Sequence, residues 1–118
     1  MITEQKLFDL GFLEQMDDKD FIVEIIVLYL HDTHHDLGEM KRLLDAGNLD
    51  TVYKTAHKLK SSTGILQANT LFVILENMEI MAKAGVDTVQ LAQLVKTAQA
   101  EFDQLKTALE LHLKEINN

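Results

Sequence analysis

Cysteine is absent from this chain of 118 residues, and with it go disulfides, thiolate metal sites and cysteine nucleophiles. Proline is absent too, so nothing in the sequence interrupts a long helix. Glycine occurs at five positions and strand-like alternation is scarce, which together indicate an all-α chain. No apolar run approaches the length of a bilayer span, and Met1-Ile2-Thr3-Glu4-Gln5 lacks the basic start and apolar core of a signal peptide. The expected setting is therefore cytoplasmic. Basic residues are outnumbered 11 to 19, and the net charge of −8 argues against nucleic acid or a membrane surface as the main partner, since either needs a broad basic face.

What is present organises into one domain, 1–118, long enough to bury roughly two-thirds of its unfolded surface around a single core. Gly47 and Gly85 each follow a long periodic segment and precede polar N-cap candidates, Asn48 or Asp50 and Asp87 or Thr88. The pattern predicts a short N-terminal helix over 3–10, then longer helices over 18–46, 50–63, 70–84 and 87–116. The second carries an apolar stripe of Ile22, Ile25, Ile26, Tyr29, Leu37, Met40 and Leu44, broken by Gly38, where a slight bend is expected. The last carries Leu91, Leu94, Val95, Ala98, Phe102, Leu105, Leu109 and Leu113. Four such stripes joined by short loops bury one another best as an antiparallel four-helix bundle, with the short helix as an addition. Because one bundle accounts for the stripes, a monomer is expected. Met1 and a bundle that closes on itself lead to the expectation of a whole protein.

One window departs from the acidic bulk. Between Thr51 and Leu75 there is no Asp or Glu, and Lys54, Lys58 and Lys60 fall within seven residues around His57. At 100° per residue, Val52, Leu59, Thr63 and Leu66 cluster on one side of the third helix with Ala56 at their edge, and His57 falls on the opposite side. A hydrogen-bonded core histidine is thus the wrong description. Two readings stay open from pattern alone: an ordinary solvated helix face, or a site where an imidazole in a cationic field handles a transferable anion such as phosphoryl. Ser61, Ser62, Thr63 and Gly64 follow, four small residues that leave room beside the ring or else serve to end the helix.

The run His57-Lys58-Leu59-Lys60-Ser61-Ser62-Thr63-Gly64-Ile65-Leu66 resembles the motif of histidine-containing phosphotransfer (HPt) domains of bacterial phosphorelays: His, any residue, an aliphatic, Lys, then Gly, two small residues, and an aliphatic nine residues after the His. The likeness extends over nearly the whole chain, with a long helix before the motif and Ala82-Lys83-Ala84-Gly85 closing the helix after it. Ser61 stands where the family usually has Gly, and Gln67 where a second Gly is common.

The resemblance implies that His57 is phosphorylated at Nε2 and that the Lys60 ammonium stabilises the phosphoryl oxygens. Lys58 would point elsewhere and help attract a partner's acidic pocket. Glu79, at the flank of the stripe formed by Leu71, Leu75, Met78 and Ala82, is the candidate acceptor for Nδ1; a solvated boundary glutamate is the alternative. The resemblance further implies response-regulator receiver domains and a hybrid sensor histidine kinase as partners. They would dock on the face around His57 through Tyr53, Lys54, Lys58, Ser61 and Gly64, with Phe72 and apolar side chains of the long helix contributing. No cofactor of the chain's own is implied; Mg²⁺ is expected in the partner receiver. No glycine-rich nucleotide loop is present, so the chain is expected to be a carrier without an ATP site and not an enzyme.

Two other readings remain at this point. The departures at Ser61 and Gln67 admit an HPt-shaped module that binds a receiver without passing phosphate. His31, His34 and His35, beside Asp32 and Asp36, admit a metal-binding bundle, since histidines four apart on a helix chelate zinc or nickel, although the inward Glu-x-x-His motifs of bundle metal sites are missing.

Overall fold

A computed structural model describes residues 7–85 and 87–116. The described residues contain α1 (Gly11–Glu14), α2 (Lys19–Asp45), α3 (Leu49–Ile65), α4 (Asn69–Ala84) and α5 (Thr88–Ile116), and no strand. Packing runs α2 on α3, α3 on α4, α4 on α5 and α5 back on α2, a closed ring of four antiparallel helices. At 1.5 Å per residue, α2 and α5 are about 40 Å long and α3 and α4 about 25 Å, so a short hairpin leans on a long pair. None of the helices among the described residues is long and apolar enough to cross a membrane.

Local chemistry sets the ends. Asp18, Asn48 and Asp87 accept hydrogen bonds from the backbone N–H three residues on, capping α2, α3 and α5. Gly85 ends α4 at φ 70°, a left-handed conformation that glycine adopts without cost. The same device after α3 falls on Gln67, which takes φ 51° with a full side chain. Left-handed backbone costs an L-residue about 1–2 kcal/mol, part of which glycine's larger unfolded-state entropy cancels. Gln67→Gly is therefore expected to stabilise the bundle by about 0.5–1 kcal/mol, read as a rise of about 2–4 °C in a thermal melt.

The N-terminal expectation needs correction. Of the helix predicted over 3–10, residues 3–6 lie outside the described residues, and 7–10 are not helical; the short helix starts at Gly11 instead. The reason is tertiary. The Asp9 N–H donates to the Leu66 carbonyl at 2.9 Å while the Asp9 carboxylate accepts from Gly11 N–H at 2.8 Å. Residues 7–10 thus form a strap over the end of α3, and Leu10 and Leu13 plug the core.

The predicted stripes face inward: Ile22, Ile26, Tyr29, Leu37 and Met40 of α2, and Leu91, Val95, Ala98, Phe102, Leu105 and Leu109 of α5, are buried. Ile25, Leu44, Leu94 and Leu113 pack at the margin. Tyr29 and Thr63 share a buried hydrogen bond of 2.7 Å that ties α2 to α3.

Candidate functional site

Helix α3 buries Val52, Ala56, Leu59 and Thr63 and presents His57 on its other side, with 59% of the side chain exposed. Antiparallel packing brings Glu79 of α4 alongside. Its Oε1 lies 2.9 Å from His57 Nδ1 and its Oε2 lies 2.9 Å from Lys60 Nζ. Glu79 is only 13% exposed and Lys60 21%, so the carboxylate sits in the α3–α4 seam with a nitrogen donor facing each oxygen.

The Lys60 ammonium holds the Glu79 carboxyl below the usual glutamate range, the His57 hydrogen bond adds to this, and partial burial opposes it. Glu79 in turn raises the Lys60 ammonium, chiefly through their direct contact. An ionised carboxylate only accepts, so His57 Nδ1 carries the proton and donates it. Nε2, on the far side of the ring, has no intramolecular hydrogen bond among the described residues, and in the neutral ring it is the nitrogen with the lone pair. Tyr53, one turn earlier, stacks beside the imidazole at 6.4 Å between centroids, and Lys83 of α4 lies over the Tyr53 ring at 5.5 Å.

Several residues sit differently from expectation. The cationic window is acid-free in sequence but not in space: Lys54 pairs with Asp50 at 3.0 Å, Lys58 with Asp36 of α2 at 2.7 Å, and Lys60 with Glu79. The lysine expected on phosphoryl oxygens is thus engaged by a carboxylate, and the one expected to reach for a partner bridges to α2. Ser61 is exposed, its hydroxyl folded back onto the His57 carbonyl at 3.3 Å, which leaves the ring's approach open. Gly64 serves an internal contact, since a Cβ there would lie 3.3 Å from Phe72 Cε2. Phe72, expected as an exposed contributor, is accordingly half-buried against α3.

Next to the His57 face, α2 and α3 enclose a groove of about 240 Å³ lined by Ile25, Leu28, Lys58, Ser62 and Ile65 among others. Leu28 and Ile65 are about half-exposed apolar side chains that lie outside the predicted stripes. The signal was available in the unbroken run Ile25-Ile26-Val27-Leu28-Tyr29-Leu30, too long for one face of a helix to bury. His31, His34 and His35 are exposed along α2, and His31 Nδ1 lies 3.3 Å from the Asp32 carboxylate. Among the described residues, no three His, Asp or Glu side chains converge as a metal site would require.

The family model described as Hpt domain matches residues 24–115. Sensor protein EvgS of Escherichia coli strain K12 is 28% identical over 91 residues, which is 75% of this chain and 8% of that protein; its counterpart in Escherichia coli O157:H7 gives the same figures. The chain thus spans about 8% of the length of the curated relatives it matches. The crystal structure of histidine-containing phosphotransfer protein B (HptB) from Pseudomonas aeruginosa PAO1 superposes with a TM-score of 0.87 at 18% identity, covering 95% of this chain and 98% of that one, which establishes a common fold.

Proposed function

The chain belongs to the Hpt domain family of phosphorelay carriers, and from that membership we propose that His57 accepts a phosphoryl group from a receiver-domain aspartate and passes it to the receiver of another response regulator. The observation that carries this is the imidazole itself, exposed on α3 with Nδ1 bound to Glu79 and Nε2 directed away from that bond. The Nε2 lone pair attacks phosphorus, the P–O bond to the aspartate breaks, and the electron pair returns to the receiver's carboxylate. The proton on Nδ1 stays in place, held by the Glu79 carboxylate, so the ring keeps one orientation throughout. Onward transfer runs the same steps backwards onto the second receiver.

The chain brings positioning and no cofactor; Mg²⁺ held by the carboxylates of the partner's acidic pocket would supply positive charge for the phosphoryl oxygens. A hybrid sensor histidine kinase supplies the phosphoryl group, and a monomer in the cytoplasm meets its receivers one at a time. Docking falls on the His57 face and the adjoining α2–α3 groove, where Leu28 and Ile65 offer apolar contact and Tyr53, Lys54, Lys58, Ser61 and Gly64 surround the approach.

The test is to mix the protein with a ³²P-phosphorylated receiver domain. An acid-labile, base-stable label mapping to His57 is expected within the mixing time. A stable complex without that label would reduce the protein to a receiver-binding module.

A further inference from the structure

Fixing a histidine tautomer with a carboxylate creates a conflict. The acceptor at Nδ1 leaves the Nε2 lone pair free, but the same negative charge favours the imidazolium, in which Nε2 is protonated and has nothing to attack with. The more firmly a bare carboxylate holds the ring, the less nucleophile is present near neutral pH.

The second oxygen of Glu79 carries the answer. Lys60 Nζ lies 2.9 Å from Oε2 while Oε1 takes the imidazole, and the lysine side chain lies along the α3–α4 seam with its ammonium 6.0 Å from the centre of the Phe72 ring. We infer that Lys60 is a positioning residue acting through Glu79: it cancels the charge with which that carboxylate would otherwise hold His57 as imidazolium, leaving the ring fixed in its Nδ1–H form and still neutral. The remaining charges nearby have other partners. On α3, Lys54 is paired with Asp50, and Lys58 with Asp36 of α2. On α4, Lys83 lies over Tyr53, and Glu76 adds negative field at Lys60. The depressed Glu79 carboxyl and the raised Lys60 ammonium keep the pair ionised across the range in which an imidazole titrates.

The inference rests on the carrier reading for its consequence, though its first measurement needs no phosphate. The His57 ring titration is followed by NMR in the parent, Lys60→Met and Lys60→Arg, and phosphoryl uptake from a phosphorylated receiver is taken as a variant-to-parent ratio from pH 6.5 to 8.5. In Lys60→Met the ring is expected to titrate at higher pH. Uptake then falls about five- to tenfold at pH 6.5 and recovers to within about twofold by pH 8.5. Lys60→Arg, which keeps the charge, stays with the parent in both readouts. In a Glu79→Gln background the shift caused by Lys60→Met is expected to shrink. An unmoved titration, a deficit of the same size at every pH, or a full shift in the absence of Glu79 overturns the inference, and a pH-independent deficit assigns Lys60 to the phosphoryl oxygens instead. Failure of the parent to take up any label sinks the carrier reading, and the ring titration then still decides this one.

Discussion

A His57→Gln chain is expected to fold as the parent does and to take up no phosphoryl group from a phosphorylated receiver. The fold survives because the side chain is mostly exposed and Lys60 stays on Glu79 Oε2. Exposed substitutions of this kind change stability by about 0.5 kcal/mol or less, so a thermal melt should move by no more than about 2 °C. Uptake fails because the amide nitrogen's lone pair is delocalised into its carbonyl and does not attack phosphorus. Label should fall to background, the largest effect available from one substitution at this site. The other four histidines provide an internal control. His31 meets the carboxylate next to it in sequence, His112 packs edge-on against Phe8 and lies 3.9 Å from the exposed Glu115 of its own helix, and His34 and His35 are exposed. Among the described residues, none of the four has a part-buried carboxylate from another helix holding its ring. An acid-labile label persisting in His57→Gln would move the acceptor to one of them and remove the role of the Glu79 hydrogen bond.

Much of this arrangement was legible in the sequence because it depends on one helix at a time. The 100° advance per residue puts Val52, Ala56, Leu59 and Thr63 inside α3 and His57 outside it without knowledge of any neighbour, and the structure agrees. Glu79 was within reach for a similar reason: its position on the flank of the Leu71–Leu75–Met78 stripe places it at whichever helix α4 packs against. The partners of the lysines were not legible. A lysine's four-carbon stem lets the ammonium point along, across or away from its helix, and the choice is made by acids on other elements, Asp36 of α2 for Lys58 and Glu79 of α4 for Lys60. The absence of Asp and Glu over 51–75 therefore says little about the field around His57. Leu7, Phe8 and Leu10 misled for a related reason. Their spacing suits a helix, yet they pack as a strap over the bundle end, held by a backbone hydrogen bond to Leu66 that no local pattern announces. Gln67 is the converse: the left-handed position after α3 exists as the turn requires, occupied by a residue that does not prefer it.

The largest stability effect is expected from Phe102→Ala. Phe102 is 2% exposed on α5, and its ring meets Tyr29 of α2 edge-on, with centroids 6.2 Å apart and planes at 65°. Tyr29 in turn is hydrogen-bonded to Thr63 of α3, and burial pushes its phenol up to about 12, so it stays protonated and keeps that bond throughout the working range. Removing the Phe102 ring thus opens a void at the junction of α2, α3 and α5, and costs about 3–5 kcal/mol through lost burial and the cavity left behind. For a chain of this size that is a fall of about 12–20 °C in melting temperature, a large share of the 5–15 kcal/mol that holds a typical domain together. Tyr29→Phe, which deletes only the hydroxyl and leaves Thr63 unpaired, should cost about 1–2 kcal/mol. Because Phe102 and Tyr29 touch, their double substitution should not be additive. Neither lies on the exposed side of α3 where His57 meets Glu79, so below its melting temperature the Phe102→Ala protein should still accept phosphoryl at nearly the parental rate. Chemical denaturation and receiver-dependent labelling of the same preparation separate the two quantities. A cost under about 1 kcal/mol would mean that the three helices close over the void, and a labelling defect in the folded protein would mean that the α3–α4 seam depends on this junction.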